Sequence, residues 1–291
     1  MTRSARWRTV AAVLLVTGWS APLAVRAGGH ELSFAVIGDF GTGSTGQYQL
    51  AQAMVRTRER VPYAFVLTVG DNIYGAWSRR AVEQRFEMPY QPLLAAGVSF
   101  FASLGNHDEA PERTYPLFNM SGQRYYRMRR ANVEFFALDS NYVDAAQLAW
   151  LRDALQTSDA PWKIAFFHHP LYSSAGRHGS ELDLRALLEP LLVQHRVQIV
   201  FTGHDHVYER LKPQHGITYF VCGSSGQLRR GDLRSGSSLT AFGFDQDQAF
   251  VLVTIAGDLL HFEAVSRTGA IVDSGDISRS GHDAVSEGVA R

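Results

Sequence analysis

From Leu32 onward the chain runs in short apolar blocks, each closed by a glycine or polar residue and followed by a longer mixed stretch. Six blocks read as strands: SFAVIG (33–38), AFVLTVG (64–70), VSFFASLG (98–105), VEFFALD (133–139), KIAFFHH (163–169) and VQIVFTG (197–203). They are near-continuously apolar rather than alternating, the mark of strands covered by helices on both faces. Residues 47–60, 143–156 and 183–194 read as helices, with Leu148, Leu151 and Leu155 at helical spacing in the second. After residue 216 the texture changes. ITYFVCG, AFVLVTI, DLLHFEAV and AIVDSGDI follow as strands joined by glycine-containing turns such as Ala256-Gly257-Asp258 and Arg267-Thr268-Gly269. A parallel α/β region thus continues into a more antiparallel β region. No repeat or long linker divides residues 28–279, which are expected to form one domain. Residues 280–291 have few apolar positions and read as a flexible tail. The segment 223–238, GSSGQLRRGDLRSGSS, reads as a loop to which the sequence assigns no role.

The first 27 residues follow a different logic. Arg3, Arg6 and Arg8 precede an apolar run from Val10 to Val16, and Val25-Arg26-Ala27 offers small residues for cleavage. That order predicts a secretory signal peptide, and the run is far short of the roughly 20 apolar residues that span a bilayer. An exported protein is expected, periplasmic or extracellular, with no membrane partner once the signal is removed. The whole chain balances 28 basic against 28 acidic residues, and residues 1–27 hold four of the arginines and no acid. The remainder is mildly acidic, which argues against a nucleic-acid partner. Apolar residues make up 45% of the chain, enough for an ordinary folded core. Cys222 is the only cysteine, so no internal disulfide forms, and its apolar setting predicts an inert core residue.

The opening block continues into Asp39-Phe40-Gly41-Thr42-Gly43-Ser44-Thr45-Gly46, which can be read three ways. Gly41, Gly43 and Gly46 have dinucleotide-turn spacing, and Asp71 falls near the acidic position such a fold uses. Asp39-Phe40-Gly41 matches the magnesium-holding tripeptide of kinases, but no His-Arg-Asp loop accompanies it. The third reading keeps only Gly38-Asp39, a carboxylate at a strand end. Other strand ends decide between them: Gly70-Asp71-Asn72-Ile73-Tyr74, Gly105-Asn106-His107-Asp108, His168-His169-Pro170 and Gly203-His204-Asp205-His206. In an open α/β sheet, ligands bind at the carboxyl ends of strands. A lone strand-end Asp is usually a helix cap and a lone His a core residue, but five such ends together form a donor set for cations. Asn106, His168, His204 and His206 have no place in the dinucleotide reading. The three glycines are then expected to form a flexible turn before the next helix.

These motifs resemble the calcineurin-like metallophosphoesterase superfamily and, within it, the purple acid phosphatases. The ordered pattern is Gly-Asp, Gly-Asp-x-x-Tyr, Gly-Asn-His, His and Gly-His-x-His, spread over roughly Leu32 to Ser274; HHPLYSS (168–174) and GHDHVYER (203–210) carry the narrower likeness. The length is similar to the short tartrate-resistant type, without that type's disulfide. The resemblance implies a four-layer α/β/β/α sandwich with a two-metal site at the carboxyl ends of its strands. Asp39, Tyr74 and His206 would bind Fe(III). Asn106, His168 and His204 would bind Fe(II), Zn(II) or Mn(II), and Asp71 would bridge the two. The division suits donor hardness, phenolate and carboxylate to the trivalent ion, imidazole and amide to the divalent one. His168 is taken over His169 because the family ligand lies two residues before the proline. Alternation along a strand should leave only one of the pair facing the metals. Two such metals would turn a bound water into a hydroxide that attacks phosphorus. His107 would protonate the leaving oxygen or hold the phosphate, its ring oriented by Asp108. His178 falls where the family places a second site histidine, with an exposed loop histidine as the alternative. The expected activity is hydrolysis of small phosphate monoesters at mildly acidic pH. The rivals are a phosphodiesterase or nucleotidase on the same scaffold, and a non-catalytic binding protein that kept the fold.

Overall fold

The computed structural model describes residues 31–279. The expected signal peptide (1–27) and C-terminal tail (280–291) lie outside the described residues. The chain runs β1 (Leu32–Ile37), α1 (Thr45–Arg60), β2 (Phe65–Val69), α2 (Arg79–Val82), a π-helical turn (Glu83–Glu87), α3 (Met88–Ala95) and β3 (Ser99–Ser103). It continues through β4 (Tyr126–Arg130), β5 (Val133–Ala137), α4 (Ala145–Gln156), β6 (Trp162–Phe166), α5 (Leu182–Gln194) and β7 (Ile199–Thr202). It finishes with β8 (Tyr208–Leu211), β9 (Thr218–Cys222), β10 (Thr240–Phe244), β11 (Ala249–Ala256), β12 (Leu259–Ser266) and β13 (Ile271–Ser278).

The strands form two sheets. One has the order β13-β12-β11-β1-β2-β3, the other β10-β8-β9-β7-β6-β5-β4. Strict side-chain alternation divides the apolar residues into three cores. Phe34 and Val36 of β1 point between the sheets, where they meet Phe135, Phe166 and Phe201. Ala35 and Ile37 point the other way, onto Leu50 and Met54 of α1. The second sheet repeats the scheme, with Phe136 and Ala165 packed on Leu151, Leu155 and Leu188 of α4 and α5. Helix, sheet, sheet and helix stack in four layers. Trp162 of β6 donates from its indole to the carbonyl of Gly257 at 2.8 Å, a direct link from one sheet to the other.

The C-terminal strands do more than follow the parallel region. β11 pairs antiparallel with β1, so β11–β13 extend the sheet that β1 began. β9, by contrast, pairs parallel with β7 and belongs to the second sheet. The starts of α1 and α4 differ from those expected by two residues because their caps are polar residues outside the apolar pattern, and that of α5 differs by one. Ser44 accepts from the Gln47 amide and Asp144 from that of Gln147. β4, YRMRR, was not visible as a strand because it is an exposed edge whose arginines replace the apolar run. Cys222 is buried and unpaired, with its thiol pushed up by burial. Among the described residues no helix is long and apolar enough to cross a membrane.

Candidate metal centre

The strands stop before the residues that carry chemistry. The runs expected to reach 105, 169 and 203 leave their ladders at Ser103, Phe166 and Thr202. Their last residues bend over the top of the sandwich, where the parallel strands of both sheets end. Asp39 N–H donates to Gly70 O at 3.0 Å, and Gly203 N–H to His168 O at 2.8 Å. The His204 amide donates to Asp39 Oδ2 at 2.9 Å, joining the two sheet edges. Asp39, Asp71 and His204 have φ values of 53°, 53° and 69°. That left-handed conformation costs a residue with a side chain about 1–3 kcal/mol, and three of the seven expected ligands adopt it. Glycines supply room beside them: a Cβ on Gly105 would overlap Asp71 Oδ1, and one on Gly203 would overlap Asp39 Oδ2.

The seven residues fall into two groups. Tyr74 Oη lies 3.3 Å from Asp39 Oδ1 and 3.2 Å from His206 Nε2, and that nitrogen lies 3.4 Å from the same carboxylate oxygen. On the other side, Asn106 Oδ1 lies 3.0 Å from His168 Nε2 and 2.9 Å from His204 Nδ1, with those nitrogens 3.2 Å apart. Asp71 touches both groups. Its Oδ1 is 3.4 Å from His168 Nε2, and donor atoms of Asp39, Asp71 and His168 lie within 4.8 Å of one another. His168 Nδ1 donates to Val69 O at 2.9 Å, which leaves the Nε2 lone pair facing Asn106 and Asp71.

The electrostatics fit a pair of cations. Burial raises the pKa of Asp39, and the neighbouring charge of Asp71 adds to the rise. Burial and then Asp39 and Asp71 push the Tyr74 phenol up. Burial and His168 hold His204 down at about 2. Two buried carboxylates, a phenol and neutral imidazoles present lone pairs to a common space, and cations are what such a donor set stabilises.

Several expectations change. His169 is not turned away, because β6 ends at Phe166 and strand alternation no longer applies to 168–169; its ring centroid lies 4.4 Å from that of His204. Burial keeps His169 neutral, with a pKa near 3. Asp108 does not orient His107. Its Oδ1 accepts the amides of Asn72 and Ile73 at 2.6 and 3.2 Å, and its Oδ2 accepts Gly105 N–H and the Asn72 amide group, both at 2.8 Å. It pins the Asp71 turn instead, and burial, then Asp71, raises it to about 7. The exposed His107 ring rests against Tyr74 at 4.8 Å, while its amide donates to Asp71 Oδ1 at 3.0 Å. The His178 side chain is exposed and lies 4.2 Å from the His204 ring.

The three glycines have separate jobs rather than forming one flexible turn. A Cβ on Gly41 would overlap the Asn72 carbonyl, Gly43 adopts a φ of 71°, and Gly46 lies inside α1. Ser140 and Asn141, just past β5, were missed because no glycine or histidine marks that strand end. Asn141 holds the carbonyls of Leu104 and Gly105 at 3.3 and 3.1 Å. The 223–238 loop straps the centre down. Ser225 and Gln227 amides donate to Gly38 O and Asp39 O at 3.2 and 2.9 Å, and the Arg229 amide to His206 O at 2.9 Å.

Glu112 offers a stability test beside the centre. It is buried, its Oε2 has no hydrogen-bond partner, and burial followed by the charge of Asp108 pushes it up to about 10 from 4.5. The folded chain keeps this proton while the unfolded chain releases it. The stability it contributes is complete below pH 4.5 and declines as pH rises toward the folded value. Glu112→Gln should therefore lose stability less steeply than wild type in urea titrations between pH 5 and 8. Parallel slopes would mean Glu112 ionises inside the fold.

The calcineurin-like phosphoesterase family model matches residues 32–208. Purple acid phosphatase 4 of Arabidopsis thaliana is 28% identical over 238 residues, covering 69% of this chain and 70% of that protein. Tartrate-resistant acid phosphatase type 5 of Mus musculus is 25% identical over 236 residues, covering 66% and 72%. A purple acid phosphatase from yellow lupin seeds superposes with a TM-score of 0.76 at 20% identity, over 86% of this chain and 54% of that one. Another similar fold is GAP50, described as the anchor in the inner membrane complex of Plasmodium, with a TM-score of 0.72 at 19% identity over 88% and 94%. With the family match spanning more than half of the chain, this protein belongs to the calcineurin-like phosphoesterases and is a hydrolase of phosphate esters.

Proposed function

We propose that the protein is a dinuclear metal phosphatase that hydrolyses small phosphate monoesters, best at mildly acidic pH. The observation that carries this reading is the pair of three-residue groups sharing Asp71, one containing a phenol, the other two imidazoles and an amide. Asp39, Tyr74 and His206 are assigned to Fe(III), and Asn106, His168 and His204 to Fe(II), Zn(II) or Mn(II), with Asp71 as the bridge. When bound, the two cations supply neutralising charge for the phosphate oxygens and acidify the water that attacks phosphorus. Residues of the chain do the rest. Asp39 and Asp71 supply the negative charge that holds the cations, on turns that Gly105 and Gly203 leave room for. His107, exposed at the mouth, gives its ring proton to the departing ester oxygen. His178, against His204, offers a second N–H to the phosphoryl group. The arginines and apolar run of residues 3–16 support export to the periplasm or extracellular space, with no membrane partner once the signal is removed, and the mildly acidic remainder argues against nucleic acid as a partner.

A panel of phosphate monoesters and diesters tests the reading. Faster turnover of monoesters is expected. Preference for diesters would move the chain to a phosphodiesterase, and no turnover with two ions bound would make it a binding protein.

A further inference from the structure

His168 and His169 bring two imidazoles to the centre, and only His168 belongs to one of the two groups. We propose that His169 is a fixed hydrogen-bond donor to the phosphoryl oxygens of the substrate, its proton held on Nε2 by Ser140. The identity of its ligand rests on the phosphatase reading; the position of its proton does not.

Ser140 decides the tautomer. Its Oγ accepts the backbone amides of His168 at 3.2 Å and His169 at 3.0 Å. A serine hydroxyl has two lone pairs and one proton. With both lone pairs engaged, the proton remains, and His169 Nδ1 lies 2.9 Å away to receive it. Nδ1 therefore accepts, and the single proton of the neutral ring sits on Nε2. His168 is locked the opposite way, because its Nδ1 meets a carbonyl, which can only accept. Adjacent histidines thus take opposite roles, one lending a lone pair and the other an N–H.

The same bookkeeping removes a rival. Ring nitrogens of His168, His169 and His204 lie within 4.8 Å of one another, close enough for one ion. A metal ligand needs a free lone pair, however, and on His169 the only one is taken by Ser140. What the half-buried ring has left is an N–H beside the Asn106/His168/His204 group. A phosphoryl group drawn to the cations brings anionic oxygens within its reach.

The test uses the zinc-loaded protein, which is diamagnetic, with inorganic phosphate as the probe. Nitrogen-15 NMR of the histidine rings should show Nε2–H for His169 and Nδ1–H for His168. His169→Phe should keep two zinc ions while binding phosphate about tenfold or more weakly by calorimetry, the scale of one hydrogen bond to a charged group. His169→Gln, which retains an amide N–H, should recover part of the loss. Ser140→Ala should leave the ring in mixed tautomers and weaken phosphate less than His169→Phe does. Loss of a zinc ion in His169→Phe, or an Nδ1–H signal for His169, would overturn the proposal. So would unchanged phosphate affinity with both ions retained, which leaves the phosphatase reading standing. A wild type that binds no phosphate overturns both. If the Phe variant fails to fold, the ring spectra and His169→Gln decide: an Nε2–H signal in the parent with a partial loss of phosphate affinity in the Gln variant supports the donor role, and unchanged affinity in the Gln variant overturns it.

Discussion

Asp71→Asn should empty the centre and lower turnover by at least about 10³-fold, since each bound cation supplies several kcal/mol of transition-state stabilisation. Asp71 lies between the two groups, with its Oδ1 3.4 Å from His168 Nε2 and a donor atom within 4.8 Å of one on Asp39. The amide matches the carboxylate in shape but has no negative charge and points hydrogens where cations belong. Fold stability should respond differently. Without metals, Asp39 and Asp71 repel each other in a buried space, and this repulsion contributes to the raised pKa of Asp39. The metal-free variant should therefore melt no lower than metal-free wild type while failing to regain stability when metals are added. Metal content by mass spectrometry and paired melting curves read both effects. A variant that keeps two ions would remove Asp71 as the bridge.

His107→Gln should separate substrates by their leaving groups. An alkyl phosphate expels a strongly basic alkoxide that needs a proton in the transition state, whereas nitrophenolate departs largely unaided. General acid catalysis contributes about 10²–10⁴-fold, and only the alkyl ester should lose it. The geometry supports a mobile acid: the His107 side chain is exposed and rests on Tyr74, while its backbone is fixed by Asp71 Oδ1. Asp108 is occupied by Asn72, Ile73 and Gly105, so changing Asp108 should disturb the metal turn instead of the proton transfer. Equal losses on the two esters would show that His107 only grips the phosphate and would shift the acid to His178.

What the chain revealed in advance follows from how each feature is encoded. Strands such as VEFFALD are legible because burial on both faces demands an unbroken apolar run. The gathering of Asp39, Asp71, Asn106, His168 and His204 is legible because parallel strands deliver their carboxyl ends to one edge. Exposed β4 is not legible, since its arginines satisfy solvent rather than a core. Nor is the choice made at His168-His169, which depends on hydrogen bonds to Val69 and Ser140, 99 and 29 residues away in the chain. The strap from 223 to 238 acts through backbone amides on Gly38, Asp39 and His206, and backbone amides leave no trace in residue identity. Asp108 was misjudged for a related reason. Its neighbour in sequence is His107, but its partners are the Gly105 amide and, past the end of β2, the Asn72 and Ile73 amides and the Asn72 side chain.

The most direct test of the dinuclear centre is metal analysis joined to a visible spectrum of wild type and Tyr74→Phe. Tyr74 Oη stands within 3.3 Å of both Asp39 and His206, where a phenolate bound to Fe(III) would give a charge-transfer band. Wild type should carry two ions per chain and be violet or pink. Tyr74→Phe should lose the colour and keep both ions, because Asp39, Asp71 and His206 remain. A wild type with one ion or none, or a Tyr74→Phe protein that stays coloured, would contradict the assignment.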